Sequence, residues 1–482
     1  MGGMFGAVSK KDCINEVFYG TDYHSHLGTE FGGMAVFNGN ELNTFIRDIL
    51  NHPFRSRLRD FIENIDCDRG IGVISDSEPQ PLWFDSSSGA YALSHVGKIT
   101  NLQELALKQS SKNMKVIYIK DKKTGAKVIH PIGLLSNLIG SGKNIVDGIE
   151  IAQNSIEGSS SMMLLNREGI YVARDKYGRT PLVIGEKEGA MAAASESCSF
   201  PNTGFKTSKF LGPGEIGILT EKGYEQIKKP GENMQICTFL WVYYGSPASS
   251  YEGKNVEIIR NRCGMALARR DRKEGLLVDI VAGVPDSGTP HAVGYAKESG
   301  VSFERPFVKY SDTWQRSFMP QEQVTRALVA NMKLLPIPEL IKDLKLLFCD
   351  DSVVRGTQLK KKIKELFHYG AKEVHLRPAC PPLTFGCNYL NFSRPSRELD
   401  LAAKRAIAHL EELKTSSEVN MEHLTKYLQE DSESYHAMVK HIGEEIGVTS
   451  LRYQKLPDLV SAVGLPKGKL CTYCWDGCCG CK

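Results

Sequence analysis

The 482-residue chain has no run of 18 apolar residues, so it offers no candidate membrane-spanning helix. Its start, Met1-Gly-Gly-Met-Phe-Gly-Ala-Val, has neither the charged leading segment nor the long apolar stretch of a secretory signal. Charge of one sign is also missing. Sixty Lys and Arg against 56 Asp and Glu leave a net +4, which gives no reason to expect nucleic acid or a membrane as a partner. Two nucleotide-binding frames fail as well. Gly140-Ser-Gly-Lys143 is followed by Asn144 where a P-loop needs Ser or Thr, and Gly70-Ile-Gly72 lacks the third glycine of a dinucleotide fingerprint. The expected location is the cytoplasm.

The length calls for two or three domains, and 41% hydrophobic with 24% charged residues is an ordinary globular balance. The first 235 or so residues carry many short β-like segments punctuated by glycine, among them Gly32–Phe37, Gly70–Ile74, Ala90–His95, Met162–Leu165 and Ala190–Ala194. Helical patterns fall near Leu42–Ile49, Leu102–Ala106 and Val146–Ala152. Many strands with few helices predict packed sheets with helices outside. From about Asn255 the pattern alternates. A helix over Val256–Arg270, a strand over Leu277–Gly283, a helix over His291–Ser299 and a strand over Phe303–Val308 come first. A strand over Leu344–Phe348, a helix from Gln358 and a strand over Glu373–Arg377 come next. Such alternation predicts a largely parallel sheet. Residues 397–445 read as helical with a solvated charged face and no chemistry.

The most informative segment is Leu344-Lys-Leu-Leu-Phe-Cys-Asp-Asp-Ser-Val-Val-Arg-Gly-Thr357. It describes a buried strand ending in Asp350 and Asp351, then a small-residue turn into a helix. Ligands of open α/β sheets bind at the carboxyl ends of strands, and a helix N-terminus presents N–H groups to phosphate. Two acids would repel a phosphate unless they serve ribose hydroxyls or a metal, so the segment suits a phosphorylated sugar. The plainer alternative is that Asp-Asp-Ser merely caps the next helix. Of thirteen cysteines, Cys13, Cys67, Cys198, Cys263, Cys349 and Cys380 are scattered and read as buried thiols. The tail Cys471-Thr-Tyr-Cys474-Trp-Asp-Gly-Cys478-Cys479-Gly-Cys481 reads as a metal or redox site.

In order along the chain, four landmarks resemble the amidophosphoribosyltransferases, also called glutamine PRPP (5-phosphoribosyl-1-pyrophosphate) amidotransferases. Asp350–Thr357 resembles the PRPP loop, and Gly283-Val-Pro-Asp-Ser-Gly288 the pyrophosphate loop. Ala173-Arg-Asp-Lys-Tyr-Gly-Arg-Thr-Pro-Leu182 and Glu196 within Ala194-Ser-Glu-Ser-Cys198 resemble glutaminase-domain signatures. Cys237, Cys387, Cys471 and Cys474 match the family's [4Fe–4S] ligands, although four thiolates equally suit zinc. Cys478, Cys479 and Cys481 lie outside that pattern.

The resemblance implies a mixed α/β and α+β fold. It consists of an N-terminal Ntn-hydrolase-like, glutaminase-type sandwich over 1–235, a type I phosphoribosyltransferase domain with a parallel sheet over 250–395, and a helical extension with a cysteine-rich tail over 396–482. Carried over by position, Asp350 and Asp351 bind the ribose hydroxyls and are candidates for Mg²⁺. Ser352, Val353, Val354, Arg355, Gly356 and Thr357 hold the 5-phosphate. Asp286, Ser287 and Gly288 face pyrophosphate and its Mg²⁺. Arg316 and Lys333 are the catalytic lid cations, beside Lys309 and Arg326; by themselves these residues read as a solvated loop. The lid departs from the family pattern, with one residue inserted and the middle arginine lost in Lys309–Phe318.

The glutaminase half departs further. The family's nucleophile is an N-terminal cysteine, and alignment through Phe5-Gly6-Ala7 puts Gly2 there. Cys13 lies too far inside to replace it. Ser75 stands at the substrate-gripping arginine, and Val96, in His95-Val-Gly-Lys98, at the oxyanion asparagine. The family's His-Arg-Gly-Gln-Glu reads His26-Leu-Gly-Thr-Glu30. Loss of a nucleophile alone can cost about a millionfold in rate, and loss of an oxyanion donor about a hundredfold or more. The expectation is therefore an enzyme that adds ammonia or another amine to PRPP without its own glutaminase. Two alternatives are a non-catalytic PRPP-binding regulatory paralogue and a transferase with a different acceptor. The resemblance also implies a homo-oligomer.

Overall fold

The computed structural model describes residues 2–39, 41–86, 89–111, 114–120, 125–309, 334–390 and 400–478. The chain divides into two compact units. One comprises Met1–Cys237, Ala248–Gly253 and Asn388–Phe392, and the other Thr238–Pro247, Lys254–Cys387 and Ser393–Lys482. No helix among the described residues is long and apolar enough to cross a membrane.

The first unit is a sandwich of two antiparallel sheets. One runs in the order Lys206–Phe210, Val183–Lys187, Ala190–Ala194, Gly2–Ser9, Arg69–Ser75, Phe31–Asn38, Glu41–Asp48. The other runs Gly223–Lys228, Ile216–Thr220, Ile170–Ala173, Gly158–Leu165, Gly89–Ile99, Leu82–Ser86. The central strands are buried on both faces because each sheet is covered twice, by the other sheet and by helices. Ile14, Val17 and Phe18 of helix Ile14–Asp22, with Phe54, Leu58 and Phe61 of helix Phe54–Ile62, cover the first sheet. Helices Leu102–Ser111, Pro131–Gly140 and Ile145–Ser155 cover the second through Leu105, Ile132, Leu135 and Ile149.

One sequence expectation fails here. Leu42–Ile49, which has helical spacing, is the edge strand Glu41–Asp48, paired residue for residue with Phe31–Asn38 from Asn38↔Glu41 onward. The turn decides it: Gly39 takes φ +60°, which a tight two-residue hairpin needs and a helix start does not.

The second unit is built on a parallel sheet in the order Ile280–Gly283, Lys345–Asp350, Glu373–Pro378, Ser450–Leu451. The unbroken apolar run Leu346–Cys349 is buried throughout, as a strand covered on both faces requires. The long helix Val256–Lys273 starts where the Asn255 side chain accepts the Ile258 N–H at 3.1 Å. It carries Glu257 in its first turn and Arg270, Arg272 and Lys273 in its last, matching the helix dipole. Helices Thr289–Ser299 and Thr357–His368 each come after a strand end. The strand expected over Phe303–Val308 is shorter. Phe303 makes a single bridge to Val281, Pro306 brings no N–H to a ladder, and only Phe307–Lys309 is a strand, paired with Leu334–Pro336. Residues 400–446 supply helices Ala402–Leu410, Met421–Tyr427 and Glu433–Ile446.

Candidate active site

Parallel pairing aligns Gly283 with Cys349, so the loops after the two strands, Val284–Gly288 and Asp351–Gly356, leave the sheet side by side. Their approach is close. The Val284 N–H donates to the Cys349 carbonyl at 2.9 Å, and the Gly288 N–H to the Val284 carbonyl at 2.8 Å. A Cβ at Gly288 would lie 2.2 Å from the Cys349 oxygen, so the turn admits glycine only.

At the end of the central strand, Asp350 and Asp351 are 8% and 5% exposed. The Asp351 N–H donates to Asp350 Oδ1 at 2.9 Å, and the Ser352 hydroxyl to Asp351 Oδ2 at 3.3 Å. Burial first, and then the neighbouring Asp351 charge, push the Asp350 carboxyl well above its usual range; a Ser287 hydrogen bond works the other way. Burial also raises Asp351, opposed by the Asp350 contact, the Ser352 N–H and the charge of Arg260. Two adjacent buried acids in this state are short of hydroxyl donors or a cation. Mg²⁺ typically takes one or two carboxylates with substrate oxygens completing its shell, and this donor set suits that use.

The remaining sequence candidates divide. Gly356 enters the next helix at φ +75°, and Thr357 is exposed at its first position. Val353 is buried in the core, leaving only its backbone for a ligand, and Val354 is exposed. The Arg355 guanidinium is engaged elsewhere, with Nε 3.1 Å from Asp400 Oδ2. Asp286 is exposed and paired with Lys309, Oδ2 to Nζ 2.6 Å. Arg316, Arg326 and Lys333 lie outside the described residues, as do Cys479 and Cys481.

Sequence reasoning missed Arg260. This buried side chain donates to the carbonyls of Trp241, Tyr243 and Gly245 at 2.8 to 2.9 Å and sets a fixed positive charge near Asp351. The available signal was an arginine on the apolar face of its helix, between Ile259 and Cys263. Nearby His291 is fully buried and neutral, its pKa lowered to about 3 by burial and by Arg260.

In the first unit, Gly2, Ser75 and Val96, the three positions at which the sequence departs from the glutaminase pattern it resembles, lie together. Gly2 pairs with Ser75 across antiparallel strands, and a Cβ at Gly2 would lie 3.6 Å from both the Ser75 Cα and the Val96 Cγ2. Elsewhere in this unit Glu196 is fully enclosed. It accepts from His26 Nε2 and the Ser249 hydroxyl at 3.1 Å, from the Cys198 thiol at 3.4 Å, and from the Tyr251 hydroxyl. Burial opposes its charge, but the His26 ring and the Tyr251 hydroxyl outweigh that and hold the carboxyl down at about 2. His24 is locked beneath. Its Nδ1 donates to the Gly20 carbonyl at 2.8 Å, and its Nε2 accepts the Glu196 N–H at 3.1 Å. A second enclosed pair joins His95 Nε2 to Glu78 Oε1 at 2.7 Å. Cys13 lies in the core instead, its Sγ 3.9 Å from that of Cys67. The 173–182 segment is a structural loop: Asp175 accepts the N–H groups of Tyr177, Arg179 and Thr180 at 2.9 to 3.2 Å.

Cys387, Cys471 and Cys474 are buried in the second unit, and Cys237 is buried in the first. The Thr384 and Phe385 N–H groups donate to the Cys474 carbonyl at 3.1 and 3.2 Å, fastening the Cys387 segment to the Cys474 turn. Among the described residues, no group of three or more His, Cys, Asp or Glu side chains is gathered to hold a metal.

A sandwich of the glutamine amidotransferase type and a phosphoribosyltransferase-type sheet, carried on one chain, define an amidotransferase-like two-domain architecture. The comparisons agree. A glutamine amidotransferase domain model matches residues 68–202. The chain is 28% identical to the amidophosphoribosyltransferase of Methanothermobacter thermautotrophicus over 98% of its own length and 93% of that protein. It is 27% identical to the amidophosphoribosyltransferase of Methanocaldococcus jannaschii over 99% and 97%. The solved glutamine PRPP amidotransferase of B. subtilis, in complex with ADP and GMP, superposes with a TM-score of 0.81 at 23% identity, covering 99% of this chain and 96% of that one. Over nearly its whole length the chain is thus similar to amidophosphoribosyltransferases, and its fold is that of the solved glutamine PRPP amidotransferase.

Proposed function

We propose that the second unit transfers an amine, with ammonia as the leading acceptor, to C1 of PRPP, and that the first unit no longer hydrolyses glutamine. The family's place at the start of purine synthesis makes 5-phosphoribosylamine and pyrophosphate the expected products. The observation that carries the reading is the contrast between the two sites. Asp350, Asp351 and the glycine-dependent loops are in place at the strand ends, whereas Gly2, Ser75 and Val96 meet where a nucleophile, a substrate grip and an oxyanion donor belong.

The chemistry asks little covalent help from the protein. The C1–O bond to pyrophosphate breaks with its electron pair leaving on oxygen, the ammonia nitrogen bonds to C1, and the resulting ammonium group gives up one proton. Positioning and charge compensation then set the rate. In this reading Asp350 and Asp351 fix the ribose hydroxyls, the 352–357 backbone and the Thr357 hydroxyl hold the 5-phosphate, and Asp286, Ser287 and Gly288 border the leaving group. Arg316 and Lys333 are retained as its lid cations. Mg²⁺, when bound, offsets pyrophosphate charge. The order of Cys237, Cys387, Cys471 and Cys474 along the chain is what supports a [4Fe–4S] cluster. Iron, acid-labile sulfide and zinc measured on anaerobically purified protein test it.

The deciding experiment is pyrophosphate release from PRPP and Mg²⁺ with ammonium, glutamine or a panel of amines. Release with ammonium but not glutamine is expected. Equal rates with both would overturn the division of labour. PRPP binding without turnover on any acceptor would favour the regulatory reading, which the altered lid sequence motivates.

A further inference from the structure

The helix Ala402–Leu410 closes on the back of the Asp351–Gly356 loop. The Ala402 N–H donates to the Val354 carbonyl at 2.8 Å, and Arg405 Nη2 to the Arg355 carbonyl at 2.7 Å. Arg405 is itself held from two sides. Its Nη1 lies 2.8 Å from Asp400 Oδ1, and its Nη2 lies 3.1 and 3.3 Å from the two carboxylate oxygens of Glu445 on the helix Glu433–Ile446. Asp400 also takes the Arg355 side chain, 3.1 Å from Nε.

Peptide geometry gives these contacts a consequence. In a planar trans peptide the carbonyl of one residue and the N–H of the next point in opposite directions. Fastening the Val354 and Arg355 carbonyls to the helix therefore turns the N–H groups of Arg355 and Gly356 to the other side of the loop. Successive N–H groups aimed together form an anion cradle. We propose that Arg405 is a positioning residue for phosphate: it braces the loop from behind and sets its N–H groups for the 5-phosphate of PRPP, with Glu445 as its anchor. The proposal rests on reading this loop as the phosphate cradle. It gives the C-terminal helices a part in substrate binding.

The test uses the full chain and two probes measured by calorimetry: ribose 5-phosphate for this loop, and pyrophosphate with Mg²⁺ for the 284–288 loop. Arg405→Met is expected to weaken ribose 5-phosphate binding about tenfold, the scale of one lost charge-assisted hydrogen bond. It should leave pyrophosphate binding within about twofold, as for an independent site. Arg405→Lys, which keeps a donor for the Arg355 carbonyl, should restore most of the affinity, and Glu445→Gln should show the same selective loss in weaker form. If Arg405→Met does not fold, Glu445→Gln carries the test alone. Unchanged ribose 5-phosphate binding in both variants, or an equal loss for both probes, overturns the proposal while leaving the loop's assignment intact. Wild-type protein that binds pyrophosphate but not ribose 5-phosphate overturns that assignment, and the proposal with it.

Discussion

Gly2 and Val96 face each other across adjoining sheets, with only 3.6 Å between a Cβ built on the first and the Cγ2 of the second. On the proposed reading, a nucleophile introduced at Gly2 would therefore meet a methyl group where an amide donor is needed. It would not fit freely either, because the same Cβ lies 2.6 Å from the backbone oxygen of Ile74. Gly2→Cys is expected to give no glutamine-dependent pyrophosphate release and to cost ~1–3 kcal/mol of stability through overpacking. Denaturant unfolding and a glutaminase assay on the same sample check both. Glutamine turnover in this single variant would contradict the assignment of an abandoned site.

Asp351→Asn tests the carboxylate pair. The amide keeps the shape but removes the charge, and it leaves the Ser352 hydroxyl and Arg260 facing a neutral group. Transfer with ammonium should fall by about a hundredfold or more, the scale seen when a preorganised electrostatic partner is lost. Replacing an acid whose charge burial already disfavours should leave the melting temperature unchanged or raised. A variant with full activity would remove Asp351 from the site.

The parts of this molecule that could be read from sequence are those where local pattern and tertiary environment agree. Leu344–Phe348 announces a strand by its apolar run, and the Asp350–Thr357 order announces the loop and helix beyond it. Helix Val256–Lys273 carries its own cap and dipole-matched charges. Glu41–Asp48 defies its pattern because its backbone partner, not its side-chain spacing, decides its state. Arg405 is hidden for a related reason. On one helix it is another charged residue on a solvated face, and only the loop carbonyl in front of it and Glu445 behind it give it work. The enclosure of Glu196 by His26, Ser249 and Tyr251 joins residues up to 225 positions apart in sequence and has no local signature.

Gly288→Ala tests the close approach of the two loops. The added methyl must sit 2.2 Å from the Cys349 carbonyl oxygen and 2.6 Å from the Val284 nitrogen, so the 284–288 loop has to move. Pyrophosphate affinity with Mg²⁺ should drop by about tenfold or more, because small displacements of a binding loop are costly. Gly468→Ala, where an added methyl meets no heavy atom within 4 Å, is the control and should change little. Equal behaviour of the two variants would mean that the loop tolerates what its geometry forbids.

Acid should weaken the first unit in two stages, and His24 sets the first. Burial holds this imidazole neutral, lowering its pKa from 6.5 to about 4, and its Nε2 must stay unprotonated to accept the Glu196 N–H. The unfolded chain takes up this proton near pH 6.5 and the folded one near pH 4, so stability is lost as pH falls between those values and levels off below. The loss from this group is at most ~3 kcal/mol. Glu196 adds a second stage: its carboxyl, held at about 2 against an ordinary 4.5, supports the fold above pH 4.5 and loses that contribution as pH falls toward 2. His24→Gln keeps a donor and an acceptor but cannot titrate. The slope of unfolding free energy against pH should therefore flatten between 6.5 and 4 in this variant and stay as steep as wild type below 4. A slope unchanged across the upper window would show that His24 is not buried as a neutral ring.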